Sequence, residues 1–321
     1  MTLYLSDRDV TSLLPMADAI ECVDQAFRLL SDGSAVNAVR RRSACQGVVV
    51  NVMWALAPSA GVLGVKEYPV VRRDVSQGAV LMLLLHAFDT GELLAVIQAD
   101  RLGQLRTGAA SAVASRALAR PDAQALALYG TGFQAETQVL ALCEVLPRLR
   151  TVLVVGRDQQ KRARFMERLR GQTGMDVVPS EPREAAANAD VIVTATGASA
   201  PVLHGAWLRA GTHINAVGSN VPDHREVDRD LLTRAARIVV DDRSVAAEES
   251  GDLIANHWDQ SGVVPLGDVL TGRAATRSDR DEITLFESQG LALQDVVCAA
   301  LVYQRAVARG VGQEFGAAHA E

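Results

Sequence analysis

Residues 125–138 read "ALALYGTGFQAETQ": an apolar run, then Gly130 and Gly132, then a helical pattern. Glycine loses more backbone freedom on folding than any other residue, so a turn built from two of them implies a need for bare backbone. A strand that passes through G-x-G-x-x-A into a helix is the context of the dinucleotide fingerprint. In that reading Gly130 makes the tight turn, Gly132 lets backbone approach a pyrophosphate, and Ala135 permits close packing of helix on strand. The helix N-terminus adds unpaired N–H groups and a partial positive charge for the phosphates. Thr131, Phe133 and Gln134 fall in the same turn and join the glycines as candidate cofactor residues. The competing reading is a tight turn that holds no ligand.

Outward from the turn, "TVLVV" (151–155), "DVIVTA" (190–195), "HINAV" (213–217) and "RIVVDD" (237–242) are short apolar strands, with helical segments between most of them, including 134–146 and 159–170. Such alternation predicts a parallel, doubly wound sheet. The preceding sequence has a different texture. Met16, Ile20, Val23, Phe27 and Leu30 line one helical face. Four strand-like runs follow, 47–57, 61–70, 79–88 and 93–98, the last two joined by "DTGE" with Gly91 as the turn residue. Strands in succession without helices between them predict a mostly antiparallel or mixed sheet. Residues 101–119 are helical and alanine-rich, and 282–310 read as a strand and a long helix with Leu293, Val296, Val297, Ala300, Leu301 and Val307 on its apolar face. The prediction is an α/β protein: a Rossmann-type, doubly wound parallel sheet at 120–293, inserted into a second α+β domain made of 1–119 and 294–321. "GRAATRSDRDE" (272–282) is expected to be an exposed loop.

Composition narrows the function classes. The chain has 321 residues, 49% hydrophobic and 22% charged, with net charge −6. Its longest basic run is Arg40-Arg41-Arg42, too little to neutralise a nucleic-acid backbone. Cys22, Cys45, Cys143 and Cys298 form no C-x-x-C pair, and the six histidines form no H-x-x-x-H pair, so neither a disulfide framework nor a metal site is expected. The N-terminal residues lack signal-peptide character, and the apolar runs are about half of a membrane span. A cytoplasmic protein is expected.

The absence of a second nucleotide signature favours a nicotinamide cofactor over a flavin. After the second strand, "VVGRD" puts Gly156 and Arg157 where NAD-binding domains commonly carry an acid, with Asp158 next. Arg157 suits the 2′-phosphate of NADP, and Asp158 suits NAD. The reading leans to NADP. Thr194, Thr196 and Gly197, and Val217, Gly218 and Ser219, follow two other strands. Strand C-terminal ends are where ligands sit in such sheets.

A dehydrogenase of small acids needs cations for the carboxylate and a proton donor near the reacting carbon. Arg40, Lys66 and Arg106 lie in small or apolar surroundings, and on sequence alone each reads first as a surface or ion-pair residue. Histidines 86, 204, 213 and 257 and Trp54, Trp207 and Trp258 read as packing or surface residues.

The string "LLAVIQADRLGQLRTGAASAVASRALAR", followed by "LALYGTGFQAETQ", resembles the ornithine cyclodeaminase and mu-crystallin family. So do "ADVIVTAT", "GTHINAVGSNVPDHREVD", "SGDL" and "ITLFESQGLALQDV", in the same order along nearly the whole chain. That family includes ornithine cyclodeaminases, archaeal-type alanine dehydrogenases and ketimine reductases. The resemblance implies a homodimer whose first domain supplies the dimer contact and the substrate pocket. By motif, Arg40 and Arg106 match the pair that grips the substrate carboxylate, and Lys66 matches the lysine beside the reacting carbon. Ser288 and Gly290 of "FESQG" are expected to border the nicotinamide. Two departures stand out besides Val39, which replaces a frequent proline before the first arginine. Glu287 stands where the family usually has lysine. Asn220 stands where cyclodeaminases and alanine dehydrogenases carry the acid/base aspartate.

An amide orients an amine or a water but accepts no proton at neutral pH. The expected activity is therefore reduction of a small ketimine, such as 1-pyrroline-2-carboxylate or 1-piperideine-2-carboxylate, with Lys66 and Asn220 in the catalytic roles. Ornithine cyclodeamination, alanine-type dehydrogenation and non-catalytic ligand binding are the alternatives. Asp223, His224 and Asp228 are the candidates to replace the missing aspartate.

Overall fold

Period-two alternation of inward and outward side chains builds the first sheet of this computed structural model, which describes residues 2–71 and 80–315. The chain begins with β1 (Thr2–Leu5), α1 (Asp7–Leu13), α2 (Met16–Ser31), β2 (Val36–Asn37), β3 (Arg41–Cys45), β4 (Val48–Ala57), β5 (Val62–Val71), β6 (Met82–Ala87), β7 (Leu93–Gln98) and α3 (Asp100–Leu118). It continues with β8 (Ala125–Tyr129), α4 (Ala135–Val145), β9 (Thr151–Val155), α5 (Gln159–Thr173), β10 (Asp176–Pro179), α6 (Pro182–Asn188), β11 (Val191–Thr194) and β12 (His213–Ala216). After α7 (Arg229–Arg234), β13 (Ala235–Val240), α8 (Arg243–Glu249), α9 (Gly251–Ala255), β14 (Val264–Pro265), α10 (Leu266–Leu270) and β15 (Ile283–Glu287), it closes with α11 (Ala292–Arg309) and β16 (Gln313–Phe315).

Two compact units result, Met1–Arg106 with Leu291–Glu321, and Thr107–Gly290. The expected boundaries at 119/120 and 293/294 shift to 106/107 and 290/291. The first now falls inside α3, a helix whose small residues, from Ala109 to Ala114, are buried. Ala79 of the expected strand 79–88, and 316–321 of the expected first domain, lie outside the described residues.

In the first unit the sheet runs β16-β1-β7-β6-β5-β4-β2, with β3 paired to β4. It is mixed, as expected: β1 and β7 are parallel and the other pairs antiparallel. The β6–β7 hairpin turns on Gly91 at φ 71°. Both α2 and α11 pack in this unit, α11 against α2, β4 and β5. α11 is buried along most of its length; Val307, assigned to its apolar face, is instead 51% exposed in the last turn.

The second unit is a wholly parallel sheet ordered β10-β9-β8-β11-β12-β15-β13-β14. Its first five strands have the 3-2-1-4-5 arrangement, so the strand order reverses between β8 and β11, where doubly wound sheets bind ligands. Two apolar clusters form its core. One holds Leu126, Leu128, Val139, Leu142 and Phe165, and the other Ala127, Tyr129, Ile192, Leu231 and Leu285. The opposite facing of Leu126 and Ala127 is the strand pleat at work. Loop 272–282 is largely exposed. The short strands β2, β3, β10, β14 and β16 have no counterpart in the sequence reading, because two to five residues carry too little periodicity.

The turn at 130 is held by crowding as much as by conformation. Gly130 has φ 109°, its N–H donates to the Val155 carbonyl at 2.9 Å, and a Cβ built there would overlap the Ala195 carbonyl oxygen. Gly130→Ala is therefore expected to destabilise the protein by about 1–3 kcal/mol, measured by chemical denaturation; a change below about 0.5 kcal/mol, the range of ordinary surface substitutions, would contradict this account.

Candidate functional site

Lys66 lies on the buried face of β5, in register with Val62 and Gly64, because residues two apart share a face. Its side chain is 3% exposed, and Nζ donates to Asp295 Oδ1 at 2.8 Å. Asp295 sits in the first turn of α11, where the helix dipole favours a carboxylate. Gly64 makes the meeting possible: a Cβ there would come within 2.7 Å of Val296 Cγ2, so only glycine lets α11 lie this close to β5. Arg106 approaches the same Oδ1 through Nε at 3.3 Å and donates through Nη1 to Gln294 Oε1 at 3.1 Å.

Of the three consecutive arginines, Arg40 is the buried one, at 5% exposure. Arg41 is exposed, and Arg42 is half-buried and donates to Asn51. Burial pushes the Lys66 ammonium below its ordinary pKa, and the Arg106 and Arg40 charges push the same way against the attraction of Asp295. For Asp295, burial works upward, but Arg106 and Lys66 outweigh it and hold the carboxylate below the usual range. Asp295 and Gln294 escaped the sequence reading. Their signal is a carboxylate and an amide inside the apolar string "LALQDVV".

In the second unit, Asn220 is half-buried in the loop after β12. Asp223 is a surface residue paired with His224 at 2.9 Å. Asp228 caps α7, accepting from the N–H groups of Leu231 and Gly205 and pairing with His204 Nδ1 at 2.8 Å. Two of the three possible replacements are thus a surface pair, and the third is engaged as a cap.

The glycine turn and its neighbours lie together at the C-terminal ends of β8, β9, β11 and β12. Nothing lies within 4 Å of a Cβ built on Gly132, and no side chain caps the N-terminus of α4, whose N-cap residue is Gln134. Bare backbone beside uncapped helix N–H groups fits a pyrophosphate. Phe133 is 57% exposed beside the turn. Thr131 packs against Gly156, and a Cβ on that glycine would sit 3.2 Å from Thr131 Cγ2. Arg157 is exposed at the end of β9. Asp158 caps α5, its Oδ1 accepting from the N–H groups of Gln160 and Lys161 at 2.9 and 3.0 Å. Val217 packs into the core, and Ser219 hydrogen-bonds locally with Val221. Ser288 donates to Asp241 at 2.9 Å, and the same oxygen accepts the Gly290 N–H at 2.7 Å. Among the described residues no group of three His, Cys, Asp or Glu side chains is arranged for a metal ion, and no helix is long and apolar enough to cross a membrane.

Behind these strand ends lies a buried carboxylate network that sequence reading did not assemble. Glu226 accepts from Thr194, Thr196 and Gly218. Asp252 accepts from the N–H groups of Glu226 and Val227 at 2.9 Å each. Glu287 accepts from Ser250 at 3.2 Å and Gln289 at 3.3 Å. Burial raises all three; for Glu226 the hydrogen bonds oppose it, whereas for Asp252 and Glu287 repulsion from neighbouring carboxylates adds to it, so that Asp252 is pushed up to about 7 and Glu287 stands well above the ordinary carboxylate range.

An acid raised in the fold keeps a proton that the unfolded chain has already lost, so its contribution to stability falls as pH climbs from about 4 to about 7, by up to ~1.4 kcal/mol per pH unit. Asp252→Asn retains a carbonyl oxygen for the two N–H groups and removes that slope. The variant is expected to gain stability relative to wild type as pH rises from about 4 to about 7, the span between the unfolded and folded titrations of Asp252, and to keep that gain above it; parallel Tm curves for the two proteins would refute the assignment.

Residues 1–310 match the ornithine cyclodeaminase/mu-crystallin family model. The chain is 32% identical over 323 residues to delta(1)-pyrroline-2-carboxylate reductase of Bacillus cereus, covering 97% of this chain and 99% of the relative. It superposes on the structure of Thermococcus litoralis delta(1)-pyrroline-2-carboxylate reductase in complex with NADH and L-proline with TM-score 0.93, at 33% identity, covering 98% of this chain and 100% of that one. An archaeal alanine dehydrogenase dimer with bound NAD gives TM-score 0.93 at 30% identity, covering 99% of each chain. A family match across nearly the whole length, with full-length relatives of the same kind, means that this chain belongs to the ornithine cyclodeaminase/mu-crystallin family.

Proposed function

We propose that the protein is an NAD(P)H-dependent reductase that converts a small cyclic imino acid, with 1-pyrroline-2-carboxylate as the type, into the corresponding amino acid. The observation that carries this reading is the buried Lys66 ammonium, 2.8 Å from Asp295 with Arg106 on the same carboxylate and Arg40 buried nearby. Lys66, Arg106 and Arg40 all act on the one buried Asp295 carboxylate, an arrangement that suits an anionic substrate with an ammonium beside it. The reductases of Bacillus cereus and Thermococcus litoralis support the choice of imine.

Bound nicotinamide supplies a hydride to the carbon of the C=N bond. In this reading the two arginines hold the substrate carboxylate, with Arg106 kept in place by Gln294. Each hydride added at carbon requires one proton at nitrogen. Lys66, made more acidic by burial and by the arginine charges, gives that proton and is left as a neutral amine; a proton from solvent water then re-forms the ammonium, which pairs again with Asp295. Asn220 orients the substrate without accepting a proton, which disfavours ornithine cyclodeamination. A mere binder has no evident need to bury an ammonium and two guanidinium groups together.

NADPH is preferred in this reading, because Arg157 is free to meet solvent-borne phosphate while Asp158 is directed to the α5 amides. NADH is the alternative, favoured by the related structures that hold NADH and NAD. Exposed Val48, Val50 and Val71 share one face of the adjoining strands β4 and β5 and give the first unit an apolar patch suited to a second copy of the chain. The four cysteines are free thiols, as a cytoplasmic setting favours.

Lys66→Met is expected to lower kcat/KM for 1-pyrroline-2-carboxylate by about a hundredfold or more, followed by nicotinamide absorbance. Activity within threefold of wild type would remove Lys66 from the chemistry. Arg157→Ala should weaken NADPH by about tenfold to a hundredfold, the value of a charge-assisted contact, and leave NADH nearly unchanged; equal losses for the two would exclude the 2′-phosphate contact.

A further inference from the structure

We infer that Glu226 is the positioning residue that shapes the dinucleotide-binding edge of the parallel sheet, an inference that rests on reading that edge as the cofactor site. Its carboxylate is buried and receives four hydrogen bonds. Oε1 accepts from the Thr196 N–H and the Thr196 hydroxyl at 2.7 Å each. Oε2 accepts from the Thr194 hydroxyl and the Gly218 N–H at 2.8 Å each. One side chain thereby ties the loop after β11 to the loop after β12, two strands adjacent in the sheet.

The geometry demands an acceptor at both oxygens, because each faces one backbone N–H that cannot turn away. Thr194 is fully buried, so its hydroxyl serves Glu226 rather than a ligand. A Cβ on Gly218 would overlap Glu226 Oε1 and the Thr196 backbone, so the two loops touch without side chains between them. The 195–196 segment in turn crowds Gly130, where a Cβ would meet the Ala195 oxygen and lie 3.4 Å from Thr196 Cγ2. Fixing Thr196 thus fixes the fingerprint turn as well. Asp252 anchors the other end of the device by accepting the Glu226 and Val227 N–H groups. Glu226 does no chemistry. It sets the spacing of three backbone segments against which a dinucleotide lies.

Glu226→Gln preserves size, yet whichever way the amide lies, its NH2 opposes the N–H of Thr196 or of Gly218. The Kd for NADPH and for NADH, titrated by nucleotide fluorescence well below the melting temperature, is expected to rise about tenfold or more, equivalent to ~1.4 kcal/mol. The KM for 1-pyrroline-2-carboxylate should stay within threefold. Thr194→Val, which removes one buried donor and no ligand contact, should give a smaller rise in Kd. An unchanged Kd in a folded Glu226→Gln protein with merely a lower Tm would overturn the inference. If that variant does not fold, Thr194→Val decides, and an unchanged Kd there overturns it equally. A wild-type protein that bound neither nucleotide would overturn the cofactor reading itself, and this inference with it.

Discussion

An ammonium group removed from water must find a counterion or give up its proton, and the first unit is organised around that requirement at Lys66. Effective penalties for burying a single ion are several kcal/mol, which the Asp295 carboxylate offsets at 2.8 Å. That contact in turn depends on the approach of α11 to β5, and the approach depends on Gly64 having no side chain in the path of Val296. The return of the C-terminal segment to the first unit is therefore more than a closing helix. It delivers the carboxylate that makes a buried lysine tolerable, and it brings Gln294 to Arg106.

A parallel logic governs the second unit, with the signs reversed. There, carboxylates are buried and backbone N–H groups surround them. Glu226 and Asp252 are each satisfied by main-chain donors. Among the described residues, Glu287 has a serine hydroxyl and a side-chain amide as donors. Burial, with the repulsion of Asp252 and Glu226, drives it toward the protonated form.

The two units divide the proposed labour by charge. Cations in the first receive a carboxylate, and glycine-lined strand ends in the second receive phosphates. The proposed choice among the family's reactions rests on a small feature by comparison: an amide at 220, which accepts no proton at neutral pH. Fold and cofactor are shared across such a family, while the direction of chemistry turns on which groups beside the substrate can hold a proton.

The alternation of apolar strands and helical patterns after residue 124, the run of strands before it and the glycine turn at 130 were readable as local sequence, because pleat, helical period and turn conformation are properties of neighbouring residues. So was the candidacy of Lys66 and Arg106, through the motifs around them. Tertiary structure alone decided that Arg40 is buried while Arg41 is exposed, that Asp295 meets Lys66 across 229 positions, and that Glu226, lost among charged neighbours in "DHREVD", joins two loops. Asp158 and Asp228, candidates for ligand chemistry, proved to cap helices. Hydrogen bonds and ion pairs depend on distance in space, and a linear string holds that distance only where the chain has not yet folded back on itself.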